Sequence, residues 1–278
     1  MQKIKLITDS TCDLSKELIK KYDIEMIPLV VNINDESYLD GVDIDIHELL
    51  EKMSQEDVKV STSQVVPSRF HQYYQRYIEE GYSIISIHLS SEISGTYHSA
   101  CIAKEMVDSD KIFVVDSKNV TSGLGLLVLK AAELIEAGES IEDILSTLDN
   151  KKEKTESLLA FESLDNLVKG GRLSKTAGII GSMLGIKVIL GVIDGKMAVK
   201  DKMRGSKKAV KYIIDSFEKT SFSKEDVVML LSIENTDIYM PLKEYLDNNN
   251  IKYIDNKVGC TVGIHSGPKA CGIFYFKE

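Results

Sequence analysis

Apolar residues in the first half of the chain recur in two patterns, short runs typical of buried strands and longer stretches with helical spacing. Strands are predicted over residues 4–8, 26–33, 58–60, 83–89 and 111–115. Helices are predicted just after the first strand, where Asp13 or Ser15 can cap, and over residues 46–53, 67–80, 96–107 and 123–137. Because helices separate the strands, we expect βαβ units and a parallel α/β/α sheet domain.

The second half of the chain carries a different pattern. Strands are predicted over residues 157–161, 187–192, 197–201, 227–233 and 273–276, with a weaker one at 252–254, and helices over 206–218 and 238–248. Asp194-Gly195 is typical of a tight hairpin turn. This order favours an α+β domain with a mixed or antiparallel sheet and helices on one face. A charged stretch at 150–156 is interpreted as the linker, which predicts domains over 1–153 and 154–278.

Composition narrows the class of protein without naming a function. The 278 residues are 43% apolar and 28% charged, which suits a folded chain of about two domains. With 34 Lys and Arg against 43 Asp and Glu, the net charge of −9 argues against a nucleic-acid binder and against a basic membrane patch. The four cysteines form no paired spacing, and this pattern is typical of a reducing cytoplasm.

Targeting segments are not expected in this sequence. Lys3 and Lys5 interrupt the first apolar stretch, so it lacks the apolar core of a signal peptide. The longest apolar segment, residues 178–193, contains Ser182 and Lys187 and is too short for a membrane span. We therefore expect a cytoplasmic protein with no stable membrane insertion.

The spacing of residues does not match the motifs of several familiar kinds of functional site. Residues 170–176 end like a phosphate loop, but Ser174 stands where that loop needs glycine, so nucleotide binding is not expected. No G-x-S-x-G motif marks a serine nucleophile. The five histidines are scattered without metal-ligand spacing, so no metal site is predicted.

Hydroxyl-bearing residues follow several of the predicted strands. The junctions read Thr8-Asp9-Ser10-Thr11, then residues 61–64 (STSQ), 90–96 (SSEISGT) and 116–117 (DS). If these strands are parallel, their carboxyl ends meet at one sheet edge, where helix N-termini can hold an anion. The absence of Lys and Arg from the junctions favours a single carboxylate over a triphosphate. The alternative is that these residues only cap helices.

Two features of the second half add to this site. His265 lies between glycines in residues 262–268 (VGIHSGP), either as a ligand or as a structural residue. Residues 177–193 are rich in Gly, Ile, Leu and Met. They are interpreted as core, or as a channel for a flexible chain lined by Gly178, Gly181 and Gly185.

Together these segments resemble the DegV family across nearly the whole chain. The resemblance is carried by residues 7–14 (ITDSTCDL), 60–64 (VSTSQ), 89–97 (LSSEISGTY), 114–117 (VVDS), 167–174 (LVKGGRLS), 204–205 (RG) and 263–268 (GIHSGP). It implies a two-domain bacterial protein that binds one long-chain fatty acid in a buried tunnel between its domains. Palmitate-, stearate- and oleate-like acids are the implied ligands, and no other cofactor is implied.

The resemblance also implies roles for individual residues. Thr62 and Ser94 match positions that hold the carboxylate, and His265 matches the histidine that joins them. Arg172 and Arg204 resemble arginines that engage a separate ATP-binding fatty acid kinase subunit. The motif departs from the family at Lys269, where Gly-Pro-Gly-Ala is usual and Gly-Pro-Lys-Ala stands here.

Three functions remain open from the sequence. The preferred one is a lipid-binding carrier without catalytic residues, which presents its fatty acid to the kinase subunit for acyl phosphate formation and phospholipid synthesis. The second is a Ser/His-dependent hydrolase or acyl transferase acting near His265. The third is a regulatory module whose bound lipid controls assembly with another protein.

Overall fold

A computed structural model describes residues 3–174 and 185–278. Strands β1–β7 are Ile4–Asp9, Glu25–Ile27, Val30–Ile33, Glu36–Leu39, Val60–Ser63, Ser83–His88 and Ile112–Asp116, and β8–β13 are Thr155–Phe161, Ile186–Ile193, Lys196–Arg204, Val228–Ser232, Tyr253–Lys257 and Cys271–Phe276. Helices α1–α6 are Lys16–Lys21, Ile46–Met53, Pro67–Glu79, Thr96–Val107, Ser122–Ala137 and Ile141–Lys154, and α7–α10 are Asp165–Lys169, Ser206–Lys219, Thr236–Asn248 and Cys260–Ser266. A 3₁₀ turn, Ser10–Cys12, follows β1.

The first half forms the expected parallel sheet. Its strand order is β2-β1-β6-β7, and every neighbouring pair is parallel. All six residues of β6 are buried, as expected for a strand covered on both faces. The α/β class predicted for this half is confirmed.

The second half forms a six-stranded mixed sheet with the order β10-β9-β8-β13-β11-β12. Only β11 and β12 pair in parallel among these strands. Asp194 and Gly195 have φ angles of 49° and 80° between β9 and β10, which confirms the predicted hairpin turn. Helices α8 and α9 cover one face of this sheet, so the predicted α+β class is also confirmed.

Helix α5 joins the two sheets through one core. It is apolar around most of its circumference and contacts β1 and β6 of the parallel sheet and β8, β11 and β13 of the mixed sheet. A helix without a polar face is stable only when it is covered on several sides. The largest apolar cluster therefore runs from the parallel sheet across α5 to the mixed sheet.

The single strand predicted over residues 26–33 is wrong. Pro28 lacks a backbone N–H and separates β2, which belongs to the parallel sheet, from β3. Strand β3 instead lies between β4 and β5 in a small antiparallel sheet. The strand predicted near residue 60 is therefore not part of the parallel sheet.

The interpretation of residues 150–156 as a linker is also wrong, because these residues belong to a helix and a strand. Helix α6 continues to Lys154, and β8 begins at Thr155 without an intervening loop. The lysines of this stretch occupy the last turn of α6, where they face the negative end of the helix dipole. The division into domains at 153 and 154 stays a prediction.

Four other strands and helices were not predicted, namely β4, α6, α7 and α10. Within the described ranges, no helix combines the length and apolar character needed to cross a membrane.

Candidate functional site

The inner cavity lies where the parallel sheet, the small antiparallel sheet and the mixed sheet approach α10. Its volume is about 200 Å³. The walls are mainly aliphatic and aromatic, with Leu29, Leu89 and Ile93 from the first half facing Phe161 and Leu231 from the second. Such a space suits a hydrocarbon chain better than a polar ligand.

Thr62 and His265 meet at this cavity although 203 positions separate them. Thr62 lies in β5, where it pairs with Val31 of β3, and His265 lies in the last turn of α10. A hydrogen bond of 2.9 Å joins Thr62 Oγ1 to His265 Nε2. The structure therefore brings these two predicted site residues together, but Thr62 reaches the site from within an antiparallel strand and not from a parallel strand end.

Two buried carboxylates from the first half hold the start of α10. The backbone N–H of Gly259 donates to Asp13 Oδ1 at 2.9 Å, and the N–H of Cys260 donates to Asp40 Oδ1 at 2.9 Å. The N–H of Thr261 donates to Asp40 Oδ2 at 3.2 Å. These bonds satisfy N–H groups that a helix start leaves without a partner, and they fix the helix that carries His265.

The imidazole of His265 is held in its neutral form. Burial, followed by the nearby positive charge of Arg172, lowers the pKa of His265 to about 4. Its Nδ1 atom is buried and has no hydrogen-bond partner among the described residues. That edge of the ring packs on Gly170, where an added Cβ would lie 2.3 Å from Nδ1.

Ser94 lines the same cavity from the turn between β6 and α4. Its Oγ lies 3.0 Å from Thr96 Oγ1 and accepts the Thr96 N–H at 3.3 Å. The hydroxyl thus supports the start of α4 and also faces the cavity. Gly95 permits a close approach of Gln64, because an added Cβ would lie 2.0 Å from Gln64 Oε1.

The two arginines occupy different places. Arg172 lines the inner cavity, where its Nε donates to the Ile93 carbonyl at 3.2 Å and its Nη1 to the Gly170 carbonyl at 2.6 Å. Arg204 is exposed at the end of β10 and does not line the cavity. The two arginines, for which the family resemblance implies one shared role in contact with the kinase subunit, therefore lie in different places.

A second, more open space, here called the outer cleft, adjoins the inner cavity. It has a volume of about 340 Å³ and shares Thr62, Arg172 and His265 with the cavity. Asn166 and Lys169 of α7 complete its polar wall. Thr62, Arg172 and His265 therefore stand at the boundary between the apolar cavity and the outer cleft.

Sequence reasoning missed two threonines in the cavity wall, namely Thr121 and Thr261, whereas Thr11, which also lines the cavity, belongs to the first of the predicted junctions. Thr121 has a φ of 49°, a strained conformation for a β-branched residue, and its hydroxyl donates to Asp13. Thr261 Oγ1 is buried without a partner among the described residues. Their spacing of four residues would have placed Thr261 and His265 on one helix face if α10 had been predicted.

Lys269 adopts the left-handed conformation that glycine favours, with a φ of 67°. Its N–H donates to the Ile233 carbonyl at 2.9 Å, and its Nζ donates to the Glu234 carbonyl at 2.6 Å. Lysine therefore occupies a left-handed position of this turn with both its backbone N–H and its ammonium group hydrogen-bonded. The predicted channel glycines Gly178 and Gly181 lie outside the described residues, and Gly185, at the start of the second described range, does not line the inner cavity.

A second histidine lies in a buried chain of hydrogen bonds. His88 Nδ1 is 3.0 Å from Asp9 Oδ2, and His88 Nε2 is 2.7 Å from Ser86 Oγ, which accepts from Tyr74. The order Ser-His-Asp matches a hydrolase triad, but all four side chains are fully buried and none lines the inner cavity. We interpret this chain as structural. Residues 3–174 and 185–278 also contain no cluster of three or more metal-ligating side chains.

A comparison with known protein families shows to which family this chain belongs. The model of the DegV family, described as "Uncharacterised protein, DegV family", matches residues 3–278. The chain belongs to the DegV family. The predicted resemblance is therefore confirmed.

Curated relatives of this DegV protein match along its whole length. A DegV domain-containing protein of Clostridium perfringens is 53% identical over 278 residues, with 100% of both chains covered. A DegV domain-containing protein of Clostridium acetobutylicum is 52% identical over the same length, again with 100% of both covered.

Solved structures of other proteins share the fold, and the first two named here are described as DegV proteins. A protein from Thermus thermophilus, described for its fatty acid binding, has a TM-score of 0.91 at 27% identity, with 100% of both chains covered. DegV of Bacillus subtilis, a fatty acid binding protein, has a TM-score of 0.88 at 30% identity and the same coverage. A stearic acid-binding protein of Eubacterium ventriosum has a TM-score of 0.86 at 27% identity, covering 100% of this chain and 98% of that one.

Proposed function

We propose that this DegV protein binds a long-chain fatty acid in the inner cavity and presents its carboxylate, at the outer cleft, to a separate ATP-dependent kinase subunit. The observation that carries the proposal is the Thr62–His265 hydrogen bond at the edge of a mainly apolar cavity. The fatty acids bound by the solved relatives from Thermus thermophilus, Bacillus subtilis and Eubacterium ventriosum support the ligand class.

The hydrocarbon tail accounts for most of the expected affinity. An 18-carbon acid has about 16 methylenes, and burial of each contributes about 0.8 kcal/mol, or about 13 kcal/mol before ordering costs. The aliphatic and aromatic wall of the inner cavity gives those methylenes an apolar environment. Chain length should therefore set affinity.

The polar residues at the boundary with the outer cleft set orientation. A carboxylate loses hydration when it enters the cavity, and hydroxyl donors offset that loss by hydrogen bonding. Thr62 and Ser94 carry the hydroxyls, and His265 is bonded to the first of them. The head group is thereby directed toward the cleft through which a partner can reach it.

The geometry favours a carrier over the hydrolase alternative. Thr62 and His265 are within hydrogen-bond distance, as a nucleophile and its base would be. However, no carboxylate of the described residues orients His265 through Nδ1, and a pKa of about 4 makes this imidazole a weak base at neutral pH. Turnover of a long-chain ester or thioester by the isolated protein would instead support the hydrolase.

Calorimetry with lipid-free protein tests the ligand class. We expect tight binding of palmitate, stearate and oleate and no measurable binding of butyrate, because butyrate lacks most of the buried methylenes. Mass spectrometry of lipid that co-purifies with the native protein identifies the physiological chain length. Equal affinity for butyrate and palmitate would contradict the proposal.

The kinase partner is tested separately. Acyl phosphate should form from the loaded protein and ATP only when an ATP-binding kinase subunit is added, and Arg204→Ala should reduce its formation at that exposed contact. Acyl phosphate produced by this chain alone would contradict the carrier function. A lipid-dependent association with a protein other than a kinase would favour the regulatory module.

A further inference from the structure

The described wall of the inner cavity carries one formal charge. Among the described residues that line it, Arg172 alone is charged, and the others are apolar side chains, hydroxyls, Gln64, Gly95 and the neutral His265. A buried carboxylate is stable only when it is paired with a positive charge or strongly hydrogen-bonded.

The guanidinium of Arg172 has no acidic partner among the described residues. Its two hydrogen bonds to described residues go to the carbonyl oxygens of Ile93 and Gly170. No ion pair joins it to a carboxylate of the described ranges, and residues 175–184 contain neither aspartate nor glutamate. A half-buried guanidinium bonded only to carbonyls keeps its full positive charge, which an anion can neutralise.

The two carbonyls place this charge beside the head-group residues. Ile93 directly precedes Ser94, and Gly170 packs against the ring of His265. The electrostatic effect of Arg172 reaches the imidazole, since it contributes to the lowered pKa of His265. Thr62, Ser94 and neutral His265 can donate hydrogen bonds, but none of them carries a charge.

We propose that Arg172 supplies the counter-charge for the carboxylate of the ligand and thereby selects free fatty acids over uncharged lipids of the same chain length. This inference rests on the proposed function and adds a lipid-binding role to a residue whose predicted role is contact with the kinase. Two N–H groups of Arg172 fix the guanidinium on the protein, and its remaining N–H groups are the donors for the carboxylate.

The test compares an acid with an uncharged analogue. Lipid-free wild type, Arg172→Gln and Arg172→Lys are titrated with palmitate and with methyl palmitate. Wild type should prefer palmitate, and Arg172→Gln should bind palmitate about 10- to 100-fold more weakly while its affinity for methyl palmitate stays within about twofold. Arg172→Lys should recover part of the preference because it restores the charge.

Arg69→Gln is the matched control, because it removes the same charge from an arginine that lines neither the inner cavity nor the outer cleft. It should behave as wild type. If Arg172→Gln weakens the binding of palmitate and of methyl palmitate equally, Arg172 only links two loops through its hydrogen bonds. The inference is then wrong. If wild type binds neither lipid, the proposed function fails, and this inference fails with it.

Discussion

At the scale of single residues, the hydroxyls of the candidate site have different environments. Thr62 bonds a histidine from the distant end of the chain, whereas Ser94 bonds the residue two positions ahead of it. The alternative that these hydroxyls only cap helices therefore applies to Ser94 more strongly than to Thr62. Variants that remove one hydroxyl each can separate binding from folding.

Thr62→Val and Ser94→Ala should each weaken palmitate binding by about 10- to 150-fold, because a hydrogen bond to a charged group contributes about 1.5–3 kcal/mol. Ser94→Ala should also lower the free energy of unfolding of the lipid-free protein by about 0.5–2 kcal/mol through the lost support of α4. Calorimetry and denaturant unfolding measure the two effects. Reduced stability with unchanged palmitate affinity in both variants would refute the assignment of these hydroxyls to the head group.

His265 makes stability depend on pH below neutrality. Its pKa of about 4 in the folded protein lies below the ordinary value of 6.5, so between these values the unfolded chain binds a proton that the folded chain does not. The free energy of unfolding should therefore fall as pH drops from 6.5 to 4, by up to about 3 kcal/mol from this group.

The measurement is urea unfolding of lipid-free protein at several pH values, with His265→Gln as the control that removes this group. Buried Asp13, whose pKa is raised by burial, contributes with the opposite sign, so the difference between the two proteins is the relevant quantity. Parallel pH profiles for wild type and His265→Gln would contradict the prediction.

At the scale of elements, the site depends on how two short helices contact each other. Helix α10 presents His265 one turn beyond Thr261, and α7 ends at Lys169, directly before Gly170, against which the imidazole packs. Since α10 has only seven residues, its position comes from the carboxylates of Asp13 and Asp40 and not from its own helical stability.

Gly170→Ala should displace the imidazole, because the new Cβ would lie 2.3 Å from Nδ1 of His265. We expect loss of the Thr62–His265 hydrogen bond and palmitate binding weakened about 10-fold or more. The neighbouring Gly171→Ala is the control. Gly171 has a φ of 75° and no atom within 4 Å of an added Cβ, so this change should cost about 1–2 kcal/mol of stability without altering affinity. Equal palmitate affinities for the two variants would show that Gly170 does not position His265.

At the scale of the whole molecule, the inner cavity is built from both halves of the chain. Its wall combines residues of the first half, such as Leu89, with residues of the mixed sheet, such as Phe161 and Leu231. A ligand in this place contacts both halves at once and binds the folded state only. Binding must then stabilise the fold by mass action.

Palmitate at about 100 times its dissociation constant should raise the free energy of unfolding by about 2.7 kcal/mol. For a chain of this size that corresponds to a rise in Tm of about 5 °C. Differential scanning calorimetry of lipid-free protein, with butyrate at the same concentration as the control, measures the shift. A Tm that palmitate leaves unchanged, or that butyrate raises equally, would contradict binding in the inner cavity.

The sequence by itself determined most elements and the class of fold. Helices predicted over 46–53 and 96–107 match Ile46–Met53 and Thr96–Val107, and the hairpin at Asp194-Gly195 is present. Each of these depends on interactions within a few residues, namely apolar spacing, caps and turn preferences. The family motifs likewise named Thr62, Ser94 and His265 as one site, and the fold brings Thr62 and His265 into contact.

Only the tertiary structure decided how that site is assembled. The pairing of β5 with β3 places Thr62 in an antiparallel strand, and α10 forms because carboxylates from the first half hold its start. The placement of Arg172 in the cavity and of Arg204 outside it follows from the same packing. These features depend on contacts between residues far apart in the chain, whose energies no local pattern of hydrophobic and polar positions records.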